Sequence, residues 1–506
     1  SYVRATAAAN LYVAAFLLPK VGGAPAGPSE RTVPTTEELW MALNQGKMRQ
    51  AMVEAPKAAH RARAFHWPLE FPDVMQRGGF DVVLGNPPWE VIQLSEKEFF
   101  SALAPEIASL SGAKRKAVIA ELEIKNPRLF MAYTLGKREF DAANEFARAS
   151  DRFAYSAEGK LNTYSLFAEL FLSVMGSNGG AGLIVPTGIA TDKFNAKFFA
   201  YVSGENLVRS LFSFENEEFV FPAIHHSIRF CLLTLSRANF DQAEFAFFLR
   251  RIAQIEDPTR VYNLSPEEIR LINPITSTAP IFRTRVDADL TAAVYHRLPV
   301  LGDALTWENW QVELIQNFFS TSNKTDTEVI VRAEDMSDNA GFVPVLRGTM
   351  IDQFNHGAAA YDLATERFVE TTPCDLPENW EDVRSDKYVP LDELEKKLCD
   401  LDWRQGWLAG WRDITSAHVN RTVISSIFPR TATDDTLSLI LPKGGAKHAV
   451  ALVANLNSLV LDYIARQKVG GTHIRKYVIS QFPILPPDFY SSLRLAFVTA
   501  RVLELN

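Results

Sequence analysis

Between Gly78-Gly79 and Gly85-Asn86 the chain carries five residues, Phe80-Asp81-Val82-Val83-Leu84, and directly after them come Pro87-Pro88-Trp89. A short apolar run bounded by turn residues predicts a buried strand of a parallel sheet that ends in a sharp loop. Two successive prolines fix two φ angles and remove two backbone donors. The loop therefore presents carbonyl oxygens, and the Asn86 amide oxygen, as acceptors in a rigid arrangement. In open α/β sheets, ligands sit beyond the carboxyl ends of the strands, and this loop lies there.

The neighbouring pattern extends the sheet. Residues 1 to 18 read as an Ala-rich helix, followed by a Gly/Pro-rich loop from Val21 to Pro34, and Thr35 or Thr36 can cap a helix starting at Glu37. A long helical region over roughly 95 to 175 contains a basic segment. A second buried strand, Gly182-Leu183-Ile184-Val185-Pro186, is preceded by the turn Asn178-Gly179-Gly180. A helix over 195–202, a third strand over 207–214 and a fourth over 227–235 follow. Only about a dozen residues without helical periodicity join the last two, too few for an ordinary parallel crossover, so that pair is predicted antiparallel. Two or more parallel strands closed by an antiparallel strand at the end are expected. Past Ser236 aromatics, turn residues and short strand-like runs mix, with helical stretches near 387–400 and 447–467. The expected divisions are a helical lead-in (1–70), a catalytic α/β domain (71–250) and a large α+β region (251–506).

Composition narrows the class. A chain of 506 residues with 47% hydrophobic and 22% charged residues can bury large cores. Cys231, Cys374 and Cys399 are widely spaced and odd in number, which gives neither a disulfide framework nor a metal site. No apolar run approaches the roughly 18 residues needed to span a bilayer, and no secretory leader is recognisable. A cytoplasmic protein without a membrane partner is expected. The net charge of -8 argues mildly against indiscriminate coating of nucleic acid, but local basic clusters stand at Lys114-Arg115-Lys116 and across Arg466, Lys468, His473, Arg475 and Lys476. Each is either a solvated face or a phosphate-binding surface.

The acceptors of the turn suit an exocyclic amino group. The lone pair of such a nitrogen is delocalised into the ring, and two acceptors, the Asn86 side-chain oxygen and the Pro87 carbonyl, can hold both hydrogens and favour a pyramidal, nucleophilic nitrogen. Trp89 offers a flat face for a base rotated out of a duplex, where stacking is worth about 1–3 kcal/mol. The segment Phe80 to Trp89 resembles motif IV of the gamma-class adenine-N6 DNA methyltransferases, the group of the Taq-type and Eco57I-type enzymes. Asn162-Thr163-Tyr164-Ser165-Leu166-Phe167 with Gly179 to Gly188 is similar to their motif V and VI region, and Phe219-Val220-Phe221-Pro222 with Arg229-Phe230 resembles motif VIII. The resemblance implies the second half of a Rossmann-like class I methyltransferase sheet, with catalytic roles for Asn86, Pro87, Pro88 and Trp89. It also implies that Phe221 covers the other face of the extruded adenine, the alternative being a core Phe at a strand entrance. S-adenosyl-L-methionine is the implied cofactor and double-stranded DNA the implied partner.

The C-terminal half resembles the Eco57I-like group and the methyltransferases of bacterial restriction or phage-defence systems, of the DISARM or BREX kind. The stretches are Asn273-Pro274 to Phe282-Arg283, Leu346-Arg347-Gly348-Thr349-Met350-Ile351 with Phe354-Asn355-His356, and Asn457-Ser458 through Arg466-Gln467-Lys468 to Pro486. In that group this half carries target recognition, so Arg347, His356, Arg466, Lys468, His473, Arg475 and Lys476 join Lys114, Arg115 and Lys116 as candidate DNA contacts. His225-His226 reads as an exposed loop pair. The family's cofactor motif, a Phe/Gly-rich loop after the first strand, is not found ahead of Asn86, and no cofactor-binding residue is assigned. The chain is expected to be the C-terminal part of a longer polypeptide, with the cofactor loop upstream or in a companion chain, and other defence-system subunits are expected as partners. The expected activity is methylation of adenine N6 in double-stranded DNA after base flipping. The alternatives are a non-catalytic DNA-recognition subunit and a methyltransferase for planar amines of protein glutamine or RNA.

Overall fold

The computed structural model describes residues 2–20, 32–274, 277–303, 310–336, 340–372, 383–416, 419–469 and 472–505. Most of the expected loop from Val21 to Pro34, and Cys374, lie outside them. The chain divides into two units, Ser1–Ile269 with Thr276–Ala279, and Arg270–Ile275 with Pro280–Asn506.

The first unit is built on a six-stranded mixed sheet. Its strands are β1 (Phe80–Gly85), β2 (Met175–Pro186), β3 (Val208–Glu215), β4 (Arg229–Ser236), β5 (Ala243–Leu249) and β6 (Tyr262–Leu264), in the order β1-β2-β4-β3-β5-β6. β1 and β2 pair in parallel, as do β3 and β5. β4 is antiparallel to both β2 and β3, so these two run the same way with β4 inserted between them. The expected antiparallel pairing of β3 and β4 is present, but β4 does not close the sheet; β1 and β6 are its edges. β1, β2, β3 and β5 thus run parallel, with β4 antiparallel between β2 and β3 and β6 antiparallel at the edge beside β5, a Rossmann-like mixed sheet.

Two further expectations change. β1 is not buried on both faces: Val82 is 64% and Leu84 77% exposed. The strand pairs only with β2, and the side chains opposite Val82 and Leu84 in register are Gly180 and Gly182, which offer little apolar surface. Nor do Asn178-Gly179-Gly180 form a turn before β2. They lie within it, where the register slips by three residues, two on β1 (Phe80 to Val82) against five on β2 (Met175 to Gly180).

Glycine is required where β1 starts. Gly78 and Gly79 have φ of +102° and +120°, a region where side-chain-bearing residues are strained. Gly79 also passes so close to the start of β2 that a Cβ would stand 2.5 Å from the Val174 carbonyl oxygen. Helix Thr163–Val174 runs into β2 without a loop and lays Phe171 against Gly85, whose own Cβ would come within 2.8 Å of the ring. The helical region divides into Glu96–Leu103, Pro105–Ala108, Gly112–Lys125 and Pro127–Ala149, and the first three share a core of Phe100, Ile107, Ile119 and Leu122. The Ala-rich helix, Tyr2–Leu17, is tied to this region by Tyr12, which donates to the Ser150 carbonyl at 2.8 Å. Thr35 caps helix Thr36–Trp40, and its N–H donates to Glu38 at 3.0 Å.

Among the described residues the second unit holds ten strands: β7 (Val312–Ile315), β8 (Val331–Arg332), β9 (Phe342–Leu346), β10 (Ala359–Asp362), β11 (Arg367–Glu370), β12 (Lys387–Pro390), β13 (Trp407–Arg412), β14 (Ser425–Pro429), β15 (Ala432–Thr433) and β16 (Leu437–Pro442). They form sheets of order β14-β13-β16-β7 and β15-β9-β12-β8, and the hairpin β10-β11. Helices Ala446–Leu456 and Leu459–Lys468 bury Leu452, Leu456, Leu461 and Ala465 with Trp411 of β13. Asn457, between these helices, exchanges hydrogen bonds with the Ser425 backbone (3.0 and 2.7 Å), and the buried Asp462 accepts from the Thr422 and Val423 N–H groups (2.7 and 2.9 Å). Among the described residues no single helix is long and apolar enough to cross a membrane; the two named here reach that length only together, bent by 63°.

Gly79→Ala is expected to destabilise the first unit by more than about 1 kcal/mol, through backbone strain plus the clash with Val174. Gly78→Ala, which meets open space, suffers the strain alone. Urea unfolding of the two variants should rank them in that order.

Candidate functional site

β1, β2 and β3 all point their carboxyl ends the same way, and β4 starts from that end. The loops 86–90 and 216–228 leave from it.

In the first loop Asn86 and Pro88 are exposed, Pro87 is buried and Trp89 is part-buried. Two clamps hold it. Thr163, at the start of helix Thr163–Val174, donates its hydroxyl to the Pro88 carbonyl (2.5 Å) and accepts from the Glu90 N–H (3.1 Å), while its own N–H donates to the Glu90 carbonyl (2.9 Å). The Trp89 indole N–H donates to the Ile184 carbonyl at 3.2 Å. β1 stops pairing at Gly85↔Leu183, one residue earlier, so the indole takes a place in the ladder that the proline turn cannot fill. The Asn86 side-chain oxygen and the Pro87 carbonyl accept no hydrogen bond among the described residues, and both prolines lack an N–H. The turn is held by its back and leaves these two acceptors open. Thr163 was not singled out by its own chemistry in the sequence; a hydroxyl at the N-terminus of the next helix was the available signal.

The second loop carries Phe221. Asn216, fully buried, donates to the Phe221 and Ile224 carbonyls (3.0 and 2.9 Å) and accepts from the Phe221 N–H (3.0 Å). Phe219 sits in the left-handed region at φ +53°, uncommon for a residue with a bulky side chain. The Asn216 bonds hold the loop against that strain. The Phe221 ring meets Phe230 edge-on, with centroids 4.8 Å apart. Phe221 and Trp89 pack on the same cluster, around Phe214, Phe230, Ala246 and Leu249. Two aromatics 132 positions apart in the chain thus reach one end of one sheet face. His225 and His226 are exposed, with His225 Nδ1 2.8 Å from the Ser227 hydroxyl and His226 3.6 Å from Glu217. Asn216 went unnoticed in the sequence because a lone Asn after a strand carries no distinctive spacing.

The basic candidates behave differently from one another. Lys114 and Lys116 are exposed. Arg115 is committed to the carbonyls of Ile107 (3.3 Å), Ala108 (3.0 Å) and Leu110 (2.6 Å). In the second unit Arg347 spans Asp386 (2.9 Å) and Asp434 (3.0 Å), and Arg466 holds Asp462 (3.0 Å) and the Val419 and Asn420 carbonyls (2.9 and 2.5 Å). His473 and Arg475 both lie on the buried carboxylate of Asp413, at 2.7 and 3.3 Å. His356 is part-buried, and Lys476 is exposed. Arg347, Arg466 and Arg475 are thus engaged with carboxylates within the unit, and His473 lies on the same carboxylate as Arg475. Lys468 departs furthest. Its ammonium turns inward onto the Ile272 carbonyl and the Asn273 side-chain oxygen, 5.0 Å from the Tyr295 ring centre, and burial pulls its pKa down to about 7.

The two-unit chain can now be set beside known proteins. Its first unit has a Rossmann-like mixed sheet, with the acceptor turn at the carboxyl end of β1. Residues 29–116, which contain β1 and that turn, match the Eco57I restriction-modification methylase family, so the resemblance read from the turn stands for this segment. Among curated proteins, none matches the chain. Among solved structures, the type IIG restriction endonuclease BpuSI matches over 99% of this chain and 60% of its own, at 11% identity and a TM-score of 0.31. The type IIL restriction-modification enzyme MmeI, solved in complex with DNA, matches over 78% and 45%, at 9% and 0.35. A type I restriction-modification methyltransferase subunit from Streptococcus thermophilus matches over 55% and 58%, at 13% and 0.25. The chain thus spans about 60% of the length of BpuSI.

Asn216→Ala removes three hydrogen bonds from a buried position and is expected to cost about 1–3 kcal/mol, read as a lowered urea midpoint. Lys468 gives a pH dependence. Its folded-state pKa lies below that of a lysine in an unfolded chain, so the unfolded state binds the extra proton between about pH 7 and the ordinary lysine value near 10.5. Stability from this group rises as pH climbs through that window. In Lys468→Met the rise should be absent, and equal slopes in the two proteins would refute the buried-ammonium assignment.

Proposed function

We propose that this chain carries the amine-holding turn of a DNA methyltransferase that modifies adenine N6 in double-stranded DNA after base flipping, within a restriction-modification or phage-defence system. One observation carries the reading: Asn86 Oδ1 and the Pro87 carbonyl are unclaimed acceptors on an exposed, clamped turn at the carboxyl end of a parallel strand. The match of residues 29–116 to a restriction-modification methylase family supports it.

In this reading the two oxygens take the two N6 hydrogens. They draw the nitrogen away from planarity and direct its lone pair toward the methyl group. Trp89, fixed edge-on to β2, stacks on the base, and Phe221 closes on its other side. Asn86 and Pro87 hold the amine without removing a proton beforehand; the N–H becomes acidic as the N–C bond forms, and one proton leaves to water. The bound donor, S-adenosyl-L-methionine, supplies an electrophilic methyl on a sulfonium. No described residue forms a recognisable cradle for that donor, and none is assigned to it. A cytoplasmic location goes with a DNA substrate. The same absence of a donor cradle favours a second reading, a DNA-recognition subunit without its own catalysis. Calorimetric titration with S-adenosyl-L-methionine, for this chain alone and for the full-length or assembled protein, separates the two: binding by the latter supports the enzyme, whereas binding by neither, with duplex affinity retained, supports the subunit.

Asn86→Ala should lower methyl transfer to adenine on the order of 10²-fold, the scale set by deleting one preorganised polar contact to a reacting group. Duplex affinity should hardly change. Undiminished N6-methyladenine formation by this variant would end the proposed chemistry.

A further inference from the structure

The segment that leaves the acceptor turn lines a second feature. Val91 pairs with Asn162 in an isolated bridge, and the Ile92 N–H donates to the Leu161 carbonyl at 3.0 Å. Beyond them opens a surface cleft of about 380 Å³, lined by Val91, Lys97, Arg115, Lys116 and Lys160, with Glu96 as its acidic member. The cations come from three places in the chain: helix Glu96–Leu103, helix Gly112–Lys125 and the segment before Asn162.

Their pairing sets them apart. Among the described residues Lys97, Lys116 and Lys160 form no ion pair, whereas the arginines of the second unit discussed above all neutralise carboxylates. Arg115 is bound only to neutral carbonyls, which orient its guanidinium and leave its charge in place. Ser95 caps helix Glu96–Leu103 at the cleft wall, its hydroxyl accepting from the Glu98 N–H at 3.4 Å, and the helix adds a partial positive charge on that side. Four cations against one carboxylate in a concavity form a site for an anion with several oxygens. Position narrows the anion further. Val91 follows Trp89 by two residues, a reach of at most about 7 Å along an extended chain, and Lys160 lies three residues before the Thr163 clamp.

We propose that this cleft binds backbone phosphates of the DNA strand that carries the extruded nucleotide, next to the flipped base. The inference rests on the reading of the turn as a DNA methyltransferase site and adds to it Lys97 and Lys160, which charge clustering in the sequence does not bring out. Phosphate contacts position a duplex without reading its sequence, so the cleft sets register while the turn performs the chemistry.

The test compares the whole protein with Lys97→Gln/Lys116→Gln/Lys160→Gln and, as a control, Lys125→Gln, which ends the helix that carries Lys116, pairs with Glu121 and does not line the cleft. Fluorescence anisotropy of a labelled duplex is followed across salt concentrations. Each lost phosphate contact should reduce the slope of log K against log salt by about 0.9. The triple variant should therefore bind more weakly at low salt for every duplex sequence, with a raised KM and a nearly unchanged kcat for methylation, while Lys125→Gln matches the parent. A parent that binds duplex, with an unaltered slope in the triple variant, overturns the cleft proposal alone. A parent that binds no duplex overturns the DNA reading and this proposal together. Inorganic phosphate binding that the triple variant loses, with duplex affinity unchanged, identifies a site for a free anion and also overturns the proposal.

Discussion

Parallel pairing of β1 with β2 is the contact on which the site depends. It needs residues with no side chain at the places where the strands approach: Gly79 beside Val174, and Gly179, where a Cβ would stand 2.6 Å from the Phe80 carbonyl oxygen. Once the strands are seated, the last paired residue of β1 is Gly85, and the chain must turn immediately. Two prolines make that turn without donating to it. The rest follows from position: Thr163 is in reach of Pro88 and Glu90 because its helix feeds straight into β2. The open acceptors are thus the residue of a ladder that ends abruptly.

How much of this was legible in the sequence depends on the range of the interaction. β1 and its turn could be read because their signals are local: two glycines, an apolar run and two prolines within twelve residues. The helices expected over 1–18, 195–202 and 447–467 were legible for the same reason, whereas residues 387–390 of a stretch read as helical form β12, and helices Arg285–Arg297 and Ser492–Leu505 went unread. β4 was legible as the antiparallel partner of β3, since the short connection between them settles it. Its insertion beside β2 was not, because nothing in residues 227–236 records which strand lies on their other side. The exposure of Val82 and Leu84 was hidden likewise: an apolar run shows what a strand could bury, not whether anything is there to bury it.

Charge was the least legible property. Arg347, Arg466, His473 and Arg475 look like free cations in the sequence, and their partners Asp386, Asp434, Asp462 and Asp413 are scattered through the second unit. A buried carboxylate must be paired, and a long basic side chain is the usual means. Lys97 and Lys160 show the reverse. Isolated in the sequence, they meet in space at one cleft. A cluster along the chain and a cluster on a surface are different objects, and only the second attracts an anion.

The indole N–H of Trp89 has a consequence beyond the turn. Stacking on a planar ring would accept Tyr, Phe or Trp with little preference. The Ile184 carbonyl is less tolerant, for it takes its hydrogen bond from the indole, and neither phenylalanine nor tyrosine has a donor at that point of the ring. Choice of aromatic at this position is thereby handed from the ligand to the sheet. A carbonyl left wanting there would cost about 1–3 kcal/mol, so tryptophan here is as much a part of the backbone ladder as of the surface it presents.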